Sequence, residues 1–358
     1  MPRPDAHHGR GAPENRTPTR FNLPVRELDG DWLDVREEVD DGLPPVRTTV
    51  TIEKPKSIIA WNRSLDIGFD RSINSYRGCE HGCIYCFARP THAFHDLSPG
   101  LDFETKLFAK PDAAKILREE LARPGYVVRS MAIGTNTDPY QPIESKWRIT
   151  RSVLEVLAET KHPVTITTKS DRVVRDVDIL ARMAGEGLAR VALSVTSLDP
   201  AVSRTLEPRA PSGRKRLAAV KALSEAGVPT IVAIAPVIPG ITDHEVEHIV
   251  EAAAQAGAEG AFFLPVRLPH EVAPLFRAWL EEHFPDRADK VMNIIRSMRG
   301  GKDNDPNWFT RMTGSGPWAE LMRVRFEIAA KKHGLNREKR KLRTDLFAPP
   351  QGPQLRLL

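Results

Sequence analysis

Cysteine is scarce in this chain. Its 358 residues include three, Cys79, Cys83 and Cys86, all within one stretch of eight. An odd, clustered set excludes the disulfide framework of a small secreted domain, which uses dispersed cysteines in even number. Long apolar runs are missing as well. The richest stretch, 229–241, is cut by Pro236 and Pro239, so no segment approaches the roughly 18 unbroken apolar residues of a membrane helix. The opening MPRPDAHHGRGAPENRTPTR lacks the apolar core of a secretory signal, and a cytoplasmic address is expected. No GxGxxG follows any apolar run, which leaves a dinucleotide-binding doubly wound sheet without its fingerprint. The rest is ordinary globular material, 41% hydrophobic and 28% charged, enough for one large domain or two modest ones.

Charge is also unevenly placed. Of a formal +5, residues 1–20 carry net +2 and residues 331–358 net +6, so the middle of the chain is net −3. The basicity belongs to the tails. Residues 1–20 are Pro, Arg, His and Gly with almost no apolar content, cannot offset their ordering entropy by burial, and read as disordered. Residues 21–68 carry sparse anchors (Phe21, Leu23, Trp32, Leu33, Ile58, Trp61) and read as an extended segment draped over a larger body.

From about Arg71 to Pro285 two periodicities alternate. Short apolar runs at 131–133, 164–168, 191–195, 230–235 and 261–266 are β-branched and bounded by turn residues, as buried strands are. Between them lie helical faces. Ala113, Ile116, Leu117 and Leu121 share one, Val173, Val177 and Leu180 another, Leu217, Val220 and Leu223 a third, and Val246, Ile249, Val250 and Ala253 a fourth. With a sixth strand expected before Cys79, the pattern predicts an α/β fold of parallel βα units. Over about 215 residues this is a partial (βα)6 TIM-like barrel, since eight units need roughly 250. The expected division is a disordered tail at 1–20, an N-terminal extension at 21–68, the barrel at 69–285, a C-terminal helical cap at 286–335 and a basic tail at 336–358.

The cysteines stand as CxxxCxxC, with Gly78 and Gly82 giving the backbone freedom for tight turns. Three thiolates folded around one point imply a soft metal centre. Structural zinc would need a fourth ligand from His81, His92 or His95. A four-iron cluster on three thiolates instead leaves one iron open to an exogenous ligand, and the absence of any other cysteine fits that choice.

CxxxCxxC after the first strand of a six-unit partial barrel, with Tyr85 before the last cysteine, resembles the radical S-adenosylmethionine (SAM) superfamily. Within it, RGCEHGCIYCFARPTH followed by GTNTDPYQPIE is similar to the spore photoproduct lyase-like group of DNA repair photolyase homologues, over about residues 57–335. The resemblance implies that Cys79, Cys83 and Cys86 hold a [4Fe–4S] cluster whose open iron is chelated by SAM. An electron from a flavodoxin- or ferredoxin-type reductant would cleave SAM to a 5′-deoxyadenosyl radical that abstracts hydrogen from substrate. It places Thr135, Asn136, Thr137 and Asp138 by the methionine ammonium and Lys169 by the SAM carboxylate. Ser194 and Thr196 fall among the ribose and carboxylate contacts. The run from Pro236 to Asp243 resembles GxIxGxxE with Pro for the first Gly and Asp for Glu, putting Ile238 and Gly240 against the adenine.

The substrate is less legible. Spore photoproduct lyase returns a hydrogen atom from a fourth cysteine, which this chain lacks; of its four tyrosines, Tyr140 beside the SAM loop is the candidate catalytic donor. The stripe from Lys331 to Arg343 suits nucleic-acid phosphates, and Trp308, Phe309 and Trp318 could stack on bases or pack the cap. A zinc-stabilised, nonenzymatic nucleic-acid binder is the alternative reading.

Overall fold

Six short apolar runs pair side by side in the order in which the chain makes them. The computed structural model describes residues 9–12, 15, 16, 18, 47–338 and 340–350. Ten strands are present among them: β1 (Thr49–Ile52), β2 (Ile59–Trp61), β3 (Arg71–Ile73), β4 (Tyr76–Arg77), β5 (Lys106–Ala109), β6 (Met131–Ile133), β7 (Val164–Thr168), β8 (Ala189–Ser194), β9 (Thr230–Val237) and β10 (Gly260–Pro265). The larger sheet runs β10-β9-β8-β7-β6-β3-β2. Every pair from β3 to β10 is parallel, while β2 lies antiparallel on the outer edge. Six parallel strands in unbroken sequence order are the order of a partial (βα)6 barrel; a doubly wound sheet reverses at a switch point. The sixth strand expected before Cys79 is β3.

The connecting helices bury one stripe each, as their spacing requires. Leu117 and Leu121, Ile179 and Leu180, Val220 and Leu223, and Ile249 and Val250 meet Ile133, Ile166, Val191 and Val232 of the strands in one core. The face expected to run from Val173 to Leu180 is split into a 3-10 turn, Asp171–Asp176, and a helix from Val177. Beyond β10 only helices follow among the described residues. The long one, Gly316–Lys332, puts Met322, Phe326, Ala329 and Ala330 into the same core as the strands, so it belongs to the outer helical layer. None of the described helices is long and apolar enough to cross a membrane.

The termini differ from what composition suggested. Phe21, Leu23, Trp32 and Leu33 lie outside the described residues. Of the supposedly disordered first twenty, those described are attached to the body: Gly11 and Ala12 donate to the Glu104 carboxylate (3.0 and 2.8 Å), and the Arg16 N–H donates to Ser98 Oγ (2.7 Å). Backbone N–H groups make this attachment, and hydropathy does not register them. β1 pairs with β5 and β5 with β4 in a small second sheet.

At the other end, the chain crosses the N-terminal ends of the strands. Asn336 brackets Ala261 at the start of β10 (3.0 and 2.9 Å), the Arg343 N–H reaches the Gly187 carbonyl before β8 (3.0 Å), and Phe347 packs on Tyr126 and His162. The run suited to phosphates is therefore laid across the face opposite the strands' C-terminal ends. Lys339 and residues 351–358 are outside the described residues. The expected basic tail at 336–358 is held as far as Ala348, whose N–H bonds the Thr160 carbonyl (3.0 Å).

Candidate active site

The cysteine loop hangs between β4 and the turn Arg89–His95 and is braced on every side. Gly78 and Gly82 take φ of 72° and 68°. A Cβ at the first would strike the Phe103 carbonyl (2.8 Å), and at the second the Glu104 carboxylate (2.7 Å). The loop turns on itself through Cys86 N–H to Cys83 O (3.2 Å) and is pinned outward by Cys79 N–H to Phe103 O (2.9 Å) and Ile84 N–H to Leu206 O (3.1 Å). Gln141 clamps it through both amide atoms, accepting from Glu80 N–H (3.0 Å) and donating to Gly78 O (3.1 Å). Arg89, wholly buried, donates to the carbonyls of Cys83 (2.9 Å) and Gly82 (3.1 Å) and pairs with equally buried Glu104.

Cys79 and Cys83 are buried and Cys86 half-buried. Burial pushes all three thiols up, and Cys79 is raised further by Asp138 and by the other two thiols. Each of these thiols in a dry loop is held protonated, and a cationic centre there would favour their thiolates. Among the described residues no three His, Cys, Asp or Glu side chains converge on a single ion position. Tetrahedral zinc requires its ligands to meet at one ion, whereas in an iron–sulfur cluster each thiolate takes its own iron. His81 faces Asp138 (3.5 Å), and the His92 ring bonds the Lys106 carbonyl (2.9 Å), burial lowering its pKa to about 4.

The strand ends bring several expected residues together above Cys83. Tyr85 donates to Glu207 and lies 3.3 Å from the Thr196 hydroxyl, which itself donates to Glu207 (2.8 Å). Burial would raise Glu207, but Arg216 and Lys169 outweigh it and hold its pKa down to about 2. The Lys169 ammonium sits 5.6 Å from the Tyr85 ring centre, and its one hydrogen bond among the described residues is a long one to Ala235 O (3.4 Å). Its charge acts on Cys83 and Cys86, opposing the rise caused by burial. Ser194 is buried at the end of β8, with its carbonyl accepting from Arg216 (2.9 Å).

Other expected residues take different work. Asp138 already accepts from Thr168 Oγ1 (2.7 Å) and the N–H groups of Lys169 (2.7 Å) and Tyr140 (2.9 Å). Burial would raise it, but His81 and these donors bring it to about 2; it ties the end of β6 to that of β7. Thr135, Asn136 and Thr137 are arranged by Asn74, which donates to Thr135 Oγ1 (3.3 Å) and accepts from the N–H groups of Asn136 and Thr137 (2.9 and 3.3 Å). Ile238 is wholly buried with Ile241 and Val291, and the Gly240 carbonyl accepts from Arg287 (3.2 Å). Asp243 accepts from the Trp318 indole (3.2 Å), which makes Trp318 a packing anchor. Tyr140 is not brought to the loop: it is buried in the main core under Arg175, and Asp176 and burial both raise its hydroxyl. The turn that aims Asp138 at His81 sends its neighbour inward.

Arg89, Gln141, Asn74 and Glu104 escaped the sequence reading. Gln141 and Arg89 stood inside the quoted motifs; Glu104 had no local signal.

Compared with known families, residues 73–253 match the radical SAM superfamily. The chain belongs to that superfamily. Membership brings SAM-dependent radical chemistry, an iron–sulfur cluster and a need for an external reductant. This radical SAM protein is 36% identical over 230 residues to an uncharacterized protein of Mycobacterium tuberculosis, covering 64% of this chain and 68% of the relative. It is 27% identical over 225 residues to one of Methanocaldococcus jannaschii, covering 62% and 79%. Among solved structures its fold is similar to spore photoproduct lyase complexed with dinucleoside spore photoproduct (TM-score 0.57, 16% identity, 80% of each chain). A mutant of spore photoproduct lyase gives 0.56, 15% and 80% of each chain. The likeness to the lyase holds at the level of the fold.

Proposed function

We propose that this radical SAM enzyme binds a [4Fe–4S] cluster through Cys79, Cys83 and Cys86 and acts on a nucleic-acid substrate. The observation that carries the reading is the juxtaposition of three thiols, two buried and one half-buried, with the Lys169 ammonium, which bonds a backbone carbonyl and acts on Glu207 through its charge alone among the described residues. When bound, the cluster and SAM supply a 5′-deoxyadenosyl radical on receipt of one electron from a flavodoxin- or ferredoxin-type donor. Lys169 pairs with the SAM carboxylate. Half-buried Thr135 and Asn136, held by Asn74, offer acceptors for the ammonium, while Asp138 fixes the loop that presents them. Thr196 and Ser194 line the strand end beside Tyr85. Arg89, Gln141 and Glu104 brace the loop. The nucleic-acid part of the reading draws support from the fold shared with a lyase complexed with a dinucleoside photoproduct.

Anaerobic iron–sulfur reconstitution followed by EPR tests this. The reduced protein is expected to show a [4Fe–4S] signal that changes on adding SAM and to release 5′-deoxyadenosine with dithionite. A loaded protein that leaves SAM intact would sink the radical reading. Cys83→Ala is expected to lose the cluster and keep the far-UV spectrum of the folded barrel.

A further inference from the structure

The last strand delivers a cation that the described residues do not neutralise. After β10 the chain continues Val266-Arg267, so Arg267 stands at the C-terminal end of the sheet, on the side of the cysteine loop. Its guanidinium carbon lies 5.8 Å from the ring centre of Phe87, the residue directly after Cys86, and its Nη1 lies 3.0 Å from Met312 Sδ. Its Nε is buried without a partner. The neighbouring arginines are spent: Arg299 on the carbonyls of Val266, Thr310 and Arg311 (2.9 Å each), and Arg311 on Asp66 (2.6 and 2.7 Å). Burial and the charge of Arg311 together lower the Arg267 pKa, with Asp66 opposing more weakly. A partly desolvated guanidinium without a bonded carboxylate is costly unless an oxyanion arrives.

Aromatic faces stand open around it. Phe87 is 50% exposed, and Trp308 and Phe309, on the loop that leads into Met312, are 47% and 59% exposed. A carboxylate would use the arginine and leave these rings idle. A phosphate carrying a base uses both, since unpaired bases stack on aromatic side chains while arginine takes the phosphate.

We propose that Arg267 binds a phosphodiester of an unpaired nucleotide in the substrate strand and that Phe87 is the stacking face for its base. This rests on the reading of the cysteine loop as the radical centre, which it would place one residue from the bound base.

The test is fluorescence anisotropy of a labelled single-stranded 12-mer with the reconstituted full chain, without reductant. Arg267→Gln is expected to weaken binding about tenfold or more and to reduce the salt slope by about 0.7. Phe87→Leu is expected to weaken it by about five- to a hundredfold. Arg343→Gln, on the far face, should bind as wild type. Unchanged affinity in Arg267→Gln overturns the proposal, as does Arg267-dependent binding of a glutamate-rich peptide by a protein that ignores the 12-mer. The EPR response to SAM in Arg267→Gln separates the two readings. If it is retained while 12-mer binding is lost, both stand; if wild type shows no cluster, the radical-centre reading fails on its own.

Discussion

Replacing Glu104 by Gln removes one charge from the deepest ion pair beneath the cysteine loop. The carboxylate meets Arg89, itself wholly buried, and accepts the N–H groups of Gly11 (3.0 Å) and Ala12 (2.8 Å). Glutamine keeps one acceptor oxygen, turns an NH2 toward groups that can only donate, and leaves the Arg89 charge without a counter-charge. Breaking one side of a buried pair costs about 3–5 kcal/mol. At about 2–4 °C per kcal/mol for a protein this large, the melting temperature falls by roughly 6–20 °C. Because Arg89 also holds the carbonyls of Gly82 and Cys83, the loss extends to the proposed cluster loop. Thermal melting of the apo form by circular dichroism and iron per chain after reconstitution measure the two effects. A melting point within about 2 °C of wild type together with full iron loading would refute the reasoning.

Three further outcomes are expected. A Cβ at Gly11 would lie 1.6 Å from the Gly82 carbonyl, so Gly11→Val should lift the N-terminal segment off the loop and hasten bleaching of the cluster in air; an unchanged lifetime counts against the contact. Glu207, lowered from 4.5 to about 2, contributes stability that is full above pH 4.5 and lost as pH falls toward 2, about 3 kcal/mol in all. Glu207→Gln should therefore be less stable at neutral pH and show a shallower acid limb in urea titrations, and an acid limb as steep as wild type would contradict the assignment. Tyr140→Phe should leave SAM cleavage and product formation unchanged, since its hydroxyl faces Asp176; loss of product alone would restore Tyr140 as a hydrogen donor.

Local pattern carried the parallel sheet. β6 and β7 fall on the expected residues, and β8 to β10 within two of them, because buried parallel strands are short apolar runs whatever surrounds them. The cysteine loop was legible for the same reason: its three cysteines fall within eight residues. Support for that loop was not. Glu104 and Gly11 act through contacts across some 90 residues, and Gln141 reads as one polar side chain among many until its amide is seen clamping the Glu80 N–H and the Gly78 carbonyl. Asp138 was placed at the right strand end, but a carboxylate by a turn says nothing about how many protein donors already fill it. The basic tail misled in the opposite sense. Charge predicts attraction to phosphate, whereas the backbone of Asn336 to Ala348 fixes which face that charge occupies.

The order of synthesis gives the bond between Gly11 and Glu104 a temporal meaning. Gly11 and Ala12 leave the ribosome early, yet their acceptor follows 93 and 92 positions later, and all three cysteines emerge in between. The segment that shields the loop cannot settle until the thiols are already outside. Each newly made chain therefore passes through an interval in which its cysteines stand uncovered, open to delivery of iron and sulfide and equally to oxidation.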